Sequence, residues 1–472
     1  MSAKKVLIIL ATLTSSKSFS LSTKATELPI PPRYEGRLSA DGERVFELNV
    51  RDGKVNFFDG VATSTRGING NILGPTLYAK RGDTVKLRVT NQLDEATTMH
   101  WHGMHLPAKM DGGPYQVIKP GAEWVSTYPI KQLAATLWYH PHLMGKTGLH
   151  VYQGLAGMFI LEDEVSANAD IPKEYGYDDI PVIIQDRRFT ADGQLQYIES
   201  PRDIMRGMLG NRILVNGALE PRWQAPAKLV RLRILNGSNA RVYNLGFSDK
   251  RIFHQIATDG GLVERPVPLR QFRLAPGERT ELLVDLSKDL GKSLSLAGFY
   301  RNREGKSESF PVLAMTVAEA FAGPKETIPN KLAKITWFDP DTATTKRHFA
   351  LTMGQGGFRI NNLTMDMSRI DEQVTLGSQE IWSISTNMMI HPFHIHDIQF
   401  QIISRGGNPP EPWERGWKDT VLIYPGEETR VTMQFLDYAD PDIPYMYHCH
   451  ILEHEDAGMM GQFVVVKKEE QP

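Results

Sequence analysis

One cysteine occurs in the 472 residues, and it stands between two histidines in His448-Cys449-His450. A lone cysteine forms no intramolecular disulfide, nor can it supply a zinc site that needs two or more thiolates. A free thiol is often only a small buried hydrophobe, so its neighbours decide what it does. In an extended strand successive side chains point to opposite faces. His448 and His450 then face one way and Cys449 the other, and one short segment can serve two metal centres back to back.

Four His-x-His pairs occur: His100-Trp101-His102, His140-Pro141-His142, His394-Ile395-His396 and His448-Cys449-His450. On a strand each pair presents two imidazoles to one side. A single pair is weak evidence; four pairs, two near each end of the chain, point to a cluster of several metals. Imidazole suits copper, zinc, iron and nickel alike, so this face leaves the metal open. On the cysteine side, His391 precedes His394 by three residues, while His454 and Met459 follow Cys449 by five and ten. Two histidines, a cysteine and a distant methionine are the ligand set of a blue-copper centre. Core packing is the competing reading for Met459, as for Met460 beside it. His105 breaks the pair spacing and is expected beside the cluster or at the surface. His150, His254 and His348 stand alone and read as structural.

The elements that must position these residues repeat along the chain. Val85–Asn91, Val230–Asn236 and Ile381–Asn387 each read as a strand ending in asparagine, with alternation clear in the first two and looser in the third. Such alternation predicts half-buried strands. Upstream, Ile68-Asn69-Gly70, Val215-Asn216-Gly217 and Ile360-Asn361-Asn362 are turn signals at matching intervals. The intervals suit triplication of a domain of about 150 residues. Short β-rich runs between Gly/Pro/Asn turns predict an all-β fold of three sandwich or barrel units. Expected boundaries are 28–165, 166–325 and 326–472, with composition shifts near 162–170 and 318–332. The middle unit has no histidine pair and reads as a spacer.

The four motifs, His100-Trp101-His102-Gly103, Trp138-Tyr139-His140-Pro141-His142, His391-Pro392-Phe393-His394-Ile395-His396 and His448-Cys449-His450-(x)3-His454-(x)4-Met459, resemble the copper signatures of the multicopper oxidases. The resemblance spans the chain from about residue 28 onward and is strongest to three-domain bacterial laccase-like enzymes and cuprous oxidases. It implies three cupredoxin domains of Greek-key type and four copper ions per chain. His391, Cys449, His454 and Met459 would hold type 1 copper, His100 and His394 type 2. His102, His140, His142, His396, His448 and His450 would hold the type 3 pair. The implied reaction is one-electron oxidation of small organic reductants or Cu(I), coupled to reduction of O2 to water. Asp111 and Glu455 match acids that supply protons there, against the simpler readings of a turn residue and a solvated charge. Asp456 competes with Glu455.

Cuprous oxidases of the family often carry a methionine-rich insertion before the third motif, which this chain lacks. Met353, Met365 and Met367 read as core filler, and Met389 as the better candidate to touch a substrate copper ion. Asn387 stands where such enzymes have an acid. These departures favour phenolic donors and a more open type 1 site. Copper sequestration, or a structural family member without turnover, is the alternative. With 53 basic against 55 acidic side chains the net charge is −2, which argues against nucleic-acid partners. Residues 1–27 combine a basic start, the apolar run from Val6 to Leu13 and a polar stretch, as an export signal does. The expectation is an exported monomer, periplasmic or extracellular, without a membrane span.

Overall fold

The computed structural model describes residues 26–302, 304–323, 326–354 and 357–468. The export signal expected at the N-terminus lies, up to residue 25, outside the described residues. The fold is all-β, and its described strands form six sheets in three pairs. In the first pair, Arg44–Phe58 lies between Arg37–Leu38 and Thr84–Asn91, with Glu123–Pro129 beyond. The second sheet runs Arg33–Tyr34, Thr76–Lys80, Gly157–Glu162, Ala135–Tyr139, and both sheets feed one core. The middle pair has seven and five strands around a core of its own. The last has five and five, and its core contains both Cys449 and Met459. Among the described residues no helix is long and apolar enough to cross a membrane.

The sequence repeat has a physical basis in three asparagines. Asn69, Asn216 and Asn361 all adopt left-handed backbone, at φ 57°, 51° and 51°, a region asparagine tolerates better than most residues. Each side chain then clips the same atoms of a neighbouring strand. Its Oδ1 accepts the N–H of Asn49, Ile183 or Ala350 at 2.7, 2.8 and 2.8 Å. Its Nδ2 donates to the carbonyl two residues earlier, of Glu47, Pro181 or His348, at 2.8 Å in each case. The strand-end asparagines repeat in two units only. Asn91 and Asn236 are buried and bridge two carbonyls each, whereas Asn387 is exposed.

One strand differs from its predicted pattern. Thr84–Asn91 alternates as expected, but Leu229–Asn236 is buried throughout. Its polar face carries Arg231 and Arg233, which are sealed inside by ion pairs. Arg231 donates to Glu281 at 2.5 Å, and Arg233 to Asp179 at 2.8 Å and Glu281 at 3.0 Å. Arg233 also donates to Thr136 of the first unit at 2.9 Å. The alternation therefore marks an interface between units, where paired charges replace solvent.

Asn216→Ala removes the clip and leaves an alanine in left-handed backbone at φ 51°, so it loses both the bonds and asparagine's tolerance of that conformation. A loss of about 1–3 kcal/mol is expected for the buried groups left unpaired, read as a lowered thermal midpoint. Asn216→Gly, which relieves the backbone but not the bonds, should recover only part of it.

Candidate metal centres

The strand Asp440–Cys449 runs antiparallel to His391–Ile395, pairing Phe393 with Cys449 and His394 with His448. Residues opposite one another share a face, so His391 lies on the Cys449 side and His394 on the His448 side. On the first side, His391 Nδ1 is 3.4 Å and His454 Nδ1 3.7 Å from Cys449 Sγ. The short helix Leu452–Asp456 turns His454 back toward the thiol. Met459 closes the loop: its carbonyl accepts the Cys449 N–H at 3.0 Å and its own N–H donates to His454 at 2.9 Å. Burial pushes the Cys449 thiol pKa up, so the thiolate needs a cation beside it.

This centre is less open than the missing insertion implied. His454 is fully buried, with Phe358 stacked on its ring at 4.5 Å. Its Nε2 lies 3.3 Å from the carbonyl of Met205, on the helix Pro201–Arg206 of the middle unit. That helix thus packs a main-chain carbonyl against the outer nitrogen of His454.

The eight paired histidines gather on the other side. His102, His140 and His450 form one group, His142, His396 and His448 another, and His100 and His394 meet beside His102; within each group the ligand atoms lie within 4.8 Å of one another. The Nε2 atoms of His142 and His396 are each 3.2 Å from that of His448. A metal ion about 2 Å from each nitrogen fits such spacing. The opposite ring nitrogens are held by fixed acceptors, which sets the tautomers. His100 Nδ1 bonds the Asp111 carbonyl at 3.0 Å, His140 Nδ1 that of Pro141 at 2.8 Å, and His394 Nδ1 that of Asp419 at 2.8 Å. The Nε2 atoms of these three rings are buried without partners, as are both nitrogens of His450. Buried polar atoms rarely go unpaired, so these orphaned nitrogens fit bound metal. Burial and neighbouring imidazoles push the pKa values of His102, His140, His142, His394, His396 and His450 well below the usual range. Burial takes His448 and His454 down to about 3. The rings are neutral and can donate lone pairs.

A family model described as multicopper oxidase matches residues 49–166, and a second so described matches 333–469. A multicopper oxidase of Staphylococcus haemolyticus is 38% identical over 454 residues, covering 95% of this chain and 94% of that protein. The chain belongs to the multicopper oxidase family. The cell division protein FtsP of Xenorhabdus nematophila is 40% identical over 453 residues, covering 94% and 93%. Among solved structures, the laccase-like multicopper oxidase CueO from Ochrobactrum sp., with oxidase activity towards lignin model compounds and lignosulfonate, superposes with a TM-score of 0.86. It is 39% identical and covers 93% of this chain and 100% of its own. A multicopper oxidase from Campylobacter jejuni described as a metallo-oxidase reaches 0.82 at 26% identity, covering 96% and 100%. The three units are thus cupredoxin-like, and the family's metal, copper, suits a donor set of imidazoles with one thiolate and one thioether.

Several supports of this multicopper oxidase site were not visible as motifs. His102 is turned the other way from its neighbours: its Nε2 is 3.1 Å from Asp419 Oδ1, leaving Nδ1 for metal. Asp419 is in turn gripped by Arg279 at 2.7 and 2.6 Å, and both side chains are fully buried. Arg279 belongs to the stretch read as a spacer. Gly277 nearby has φ +83°, and a Cβ there would lie 3.0 Å from the His450 ring. Asp111 Oδ2 bonds His396 Nδ1 at 2.7 Å, with Oδ1 3.3 Å from His100 Nδ1. Glu455 places its oxygens 3.4 Å and 3.2 Å from Nδ1 of His142 and His448. Asp456 is occupied elsewhere, accepting the N–H groups of Thr147 and Gly148 at 2.9 Å. Of the remaining histidines, His150 is buried between Thr97 and Glu95. His105 clasps the first unit to the third, between Asp397 at 2.8 Å and Asp437 at 3.3 Å.

Two outcomes follow from these supports. Asp419→Asn keeps an acceptor for His102 but abolishes the charge that Arg279 holds in place; copper affinity should fall about ten- to hundredfold, measured as metal retained against a chelator with the fold checked by circular dichroism. Undiminished retention would exclude the orienting role. Burial opposes protonation of His105, but Asp397 and Asp437 outweigh it and raise its pKa from 6.5 to about 9. Lys131 and Tyr438 adjoin the clasp through Asp437 and the imidazole ring, and burial pushes Asp397 up. A raised folded pKa stabilises fully below pH 6.5 and is lost as pH rises through about 9. The unfolding free energy, read from denaturant titrations, should therefore fall across that window by about 1–3 kcal/mol, and His105→Gln should flatten the profile.

Proposed function

We propose that this chain is a laccase-like oxidase that takes single electrons from phenolic and other organic donors, or from Cu(I), and reduces dioxygen to water. Four bound copper ions would supply that redox chemistry. His391, Cys449, His454 and Met459 would hold one; His100 and His394 a second; His102, His140 and His450, with His142, His396 and His448, the remaining pair. The observation that carries the reading is the main-chain link from Cys449 to His448 and His450, whose rings belong to two different groups. Only a few covalent bonds separate the thiol from both.

Making water consumes protons, and two acids take different parts. Burial and the nearby Asp456 charge raise the Glu455 pKa well above the usual carboxylate range. That shift favours the protonated carboxyl beside His142 and His448, from which a proton can pass toward the cluster. Asp111 orients His396 through Oδ2, and its Oδ1 lies 3.3 Å from His100 Nδ1, which places one carboxylate between two rings of the cluster. On the donor side, Phe358 and the Met205 carbonyl lie between His454 and the exterior, so a donor docks against them rather than on the imidazole itself. The Ochrobactrum enzyme's lignin-related activity and the Campylobacter jejuni metallo-oxidase stand for the two donor classes. The apolar start of the sequence supports export. Relatives named for cell division frame a reading without turnover; the complete set of buried donors favours the oxidase.

Metal analysis and a visible spectrum test this directly, with four coppers per chain and an intense blue band expected. Cys449→Ser should lose the band and the turnover together. Oxygen uptake with a phenol and with Cu(I) in parallel then ranks the donors. Asp111→Asn and Glu455→Gln should slow turnover by about a hundredfold or more, while anaerobic bleaching of the blue band by donor stays fast. A colourless zinc protein, or a Cys449→Ser enzyme that stays blue and active, would defeat the proposal.

A further inference from the structure

A small cluster of the core is made of methionine alone. Met365, Met446 and Met460 are buried at 9%, 1% and 2% exposure, and Met144 packs against them. Methionine is commonly a core gap-filler, but filler occurs singly among other residues. Met315 and Met433 sit that way, among leucine, valine, isoleucine and aromatic rings. With 18 methionines in 472 residues, composition alone does not explain four meeting from three distant stretches of chain.

The position of the cluster is as informative as its make-up. Met460 pairs with His448 across the two antiparallel strands, which puts both side chains on one face. Met446 precedes His448 by two residues and shares that face. Met144 follows His142 by two, and His142 Nε2 is 3.2 Å from His448 Nε2. Met446 also reaches the Asp111–Gly113 turn: a Cβ on Gly113 would lie 3.9 Å from its Cγ and 3.4 Å from Asp111 Oδ2. Outward, Met144 is half-buried and Met367, two residues beyond Met365, is 37% exposed. Thioethers thus extend from the surface region around Met367 to the His142–His396–His448 group.

We propose that Met144, Met365, Met446 and Met460 form a Cu(I) site, distinct from the four copper positions, that passes metal to the His142–His396–His448 group as the protein fills. The proposal rests on the reading of that group as a copper site. Thioether sulfur is a soft, neutral donor that selects Cu(I) over Zn(II) and harder ions. A singly charged ion among neutral ligands also carries the smallest burial penalty of any metal ion available to such a site.

Silver(I) serves as a redox-inert probe of a Cu(I) site. Added to the four-copper protein and followed at the silver absorption edge, it is seen apart from the resident copper. One silver per chain with three or four sulfur neighbours is expected to survive desalting. Met144→Leu/Met365→Leu, which nearly conserves volume, should lose that silver yet keep four coppers and the blue band. Met388→Leu/Met389→Leu should keep it. Filling of the metal-free protein by limiting Cu(I) should slow in the first variant only. No retained silver, silver bound by nitrogen or oxygen, or equal retention in the first variant overturns the site; an equal filling rate overturns the hand-over. A wild-type protein that does not hold four coppers would instead overturn the oxidase reading.

Discussion

The two-residue period of one strand pair governs the whole arrangement. With Phe393 opposite Cys449 and His394 opposite His448, one face carries His391 and Cys449 and the other carries His394 and His448. A slip of one residue would exchange the faces and mix thiol with the imidazole cluster. The register is accordingly pinned where the strand ends. His450 donates to the Pro392 carbonyl at 2.7 Å, and Cys449 to that of Met459 at 3.0 Å. Just before them Tyr447 packs into an aromatic group with Phe349, Phe393 and Trp382.

Once the faces are fixed, burial selects the chemistry. Desolvation and repulsion between imidazoles push down the pKa values of His102, His140, His142, His394, His396, His448 and His450 and keep those rings neutral. Neutral rings with one nitrogen bonded to a carbonyl or carboxylate present the other as a lone pair, and convergent lone pairs are costly until a cation joins them. The charge that remains inside is confined to pairs such as Arg279 with Asp419. Replacing a buried ion pair with apolar residues is often neutral or even stabilising. Its value here lies in direction: the carboxylate held by Arg279 turns His102 to use the nitrogen its neighbours do not use.

Much of this was legible in sequence because ligands lie close together in the chain. The His-x-His pairs, the Cys449 parity and the positive-φ asparagines are all local patterns, and the fold retains them. What sequence did not reveal depends on distant residues. Asp419 looks like any acid in a Lys-Asp-Thr stretch until Arg279, 140 residues earlier, meets it. The alternation of Val230–Asn236 correctly indicated a strand but not its burial, because Asp179 and Glu281 replace water at Arg231 and Arg233. His105 lacked a partner in any local motif; Asp397 and Asp437 come from the far end of the chain. Met365 read as filler, since nothing nearby in sequence brings Met144, Met446 and Met460 to it.

The middle unit gains most from this comparison. It contributes no histidine to either centre, yet it touches both. Arg279 and Gly277 shape the cluster side, one by charge and the other by leaving room for the His450 ring. On the thiol side, the helix Pro201–Arg206 lays the Met205 carbonyl against His454, and Met208 donates from its N–H to Glu453 at 2.8 Å. A change at that helix would therefore be felt at His454 through the Met205 carbonyl. Ligand motifs point to the oxidase family but not to a reductant, because Phe358 and Met205, which meet His454, come from stretches that carry no ligand motif.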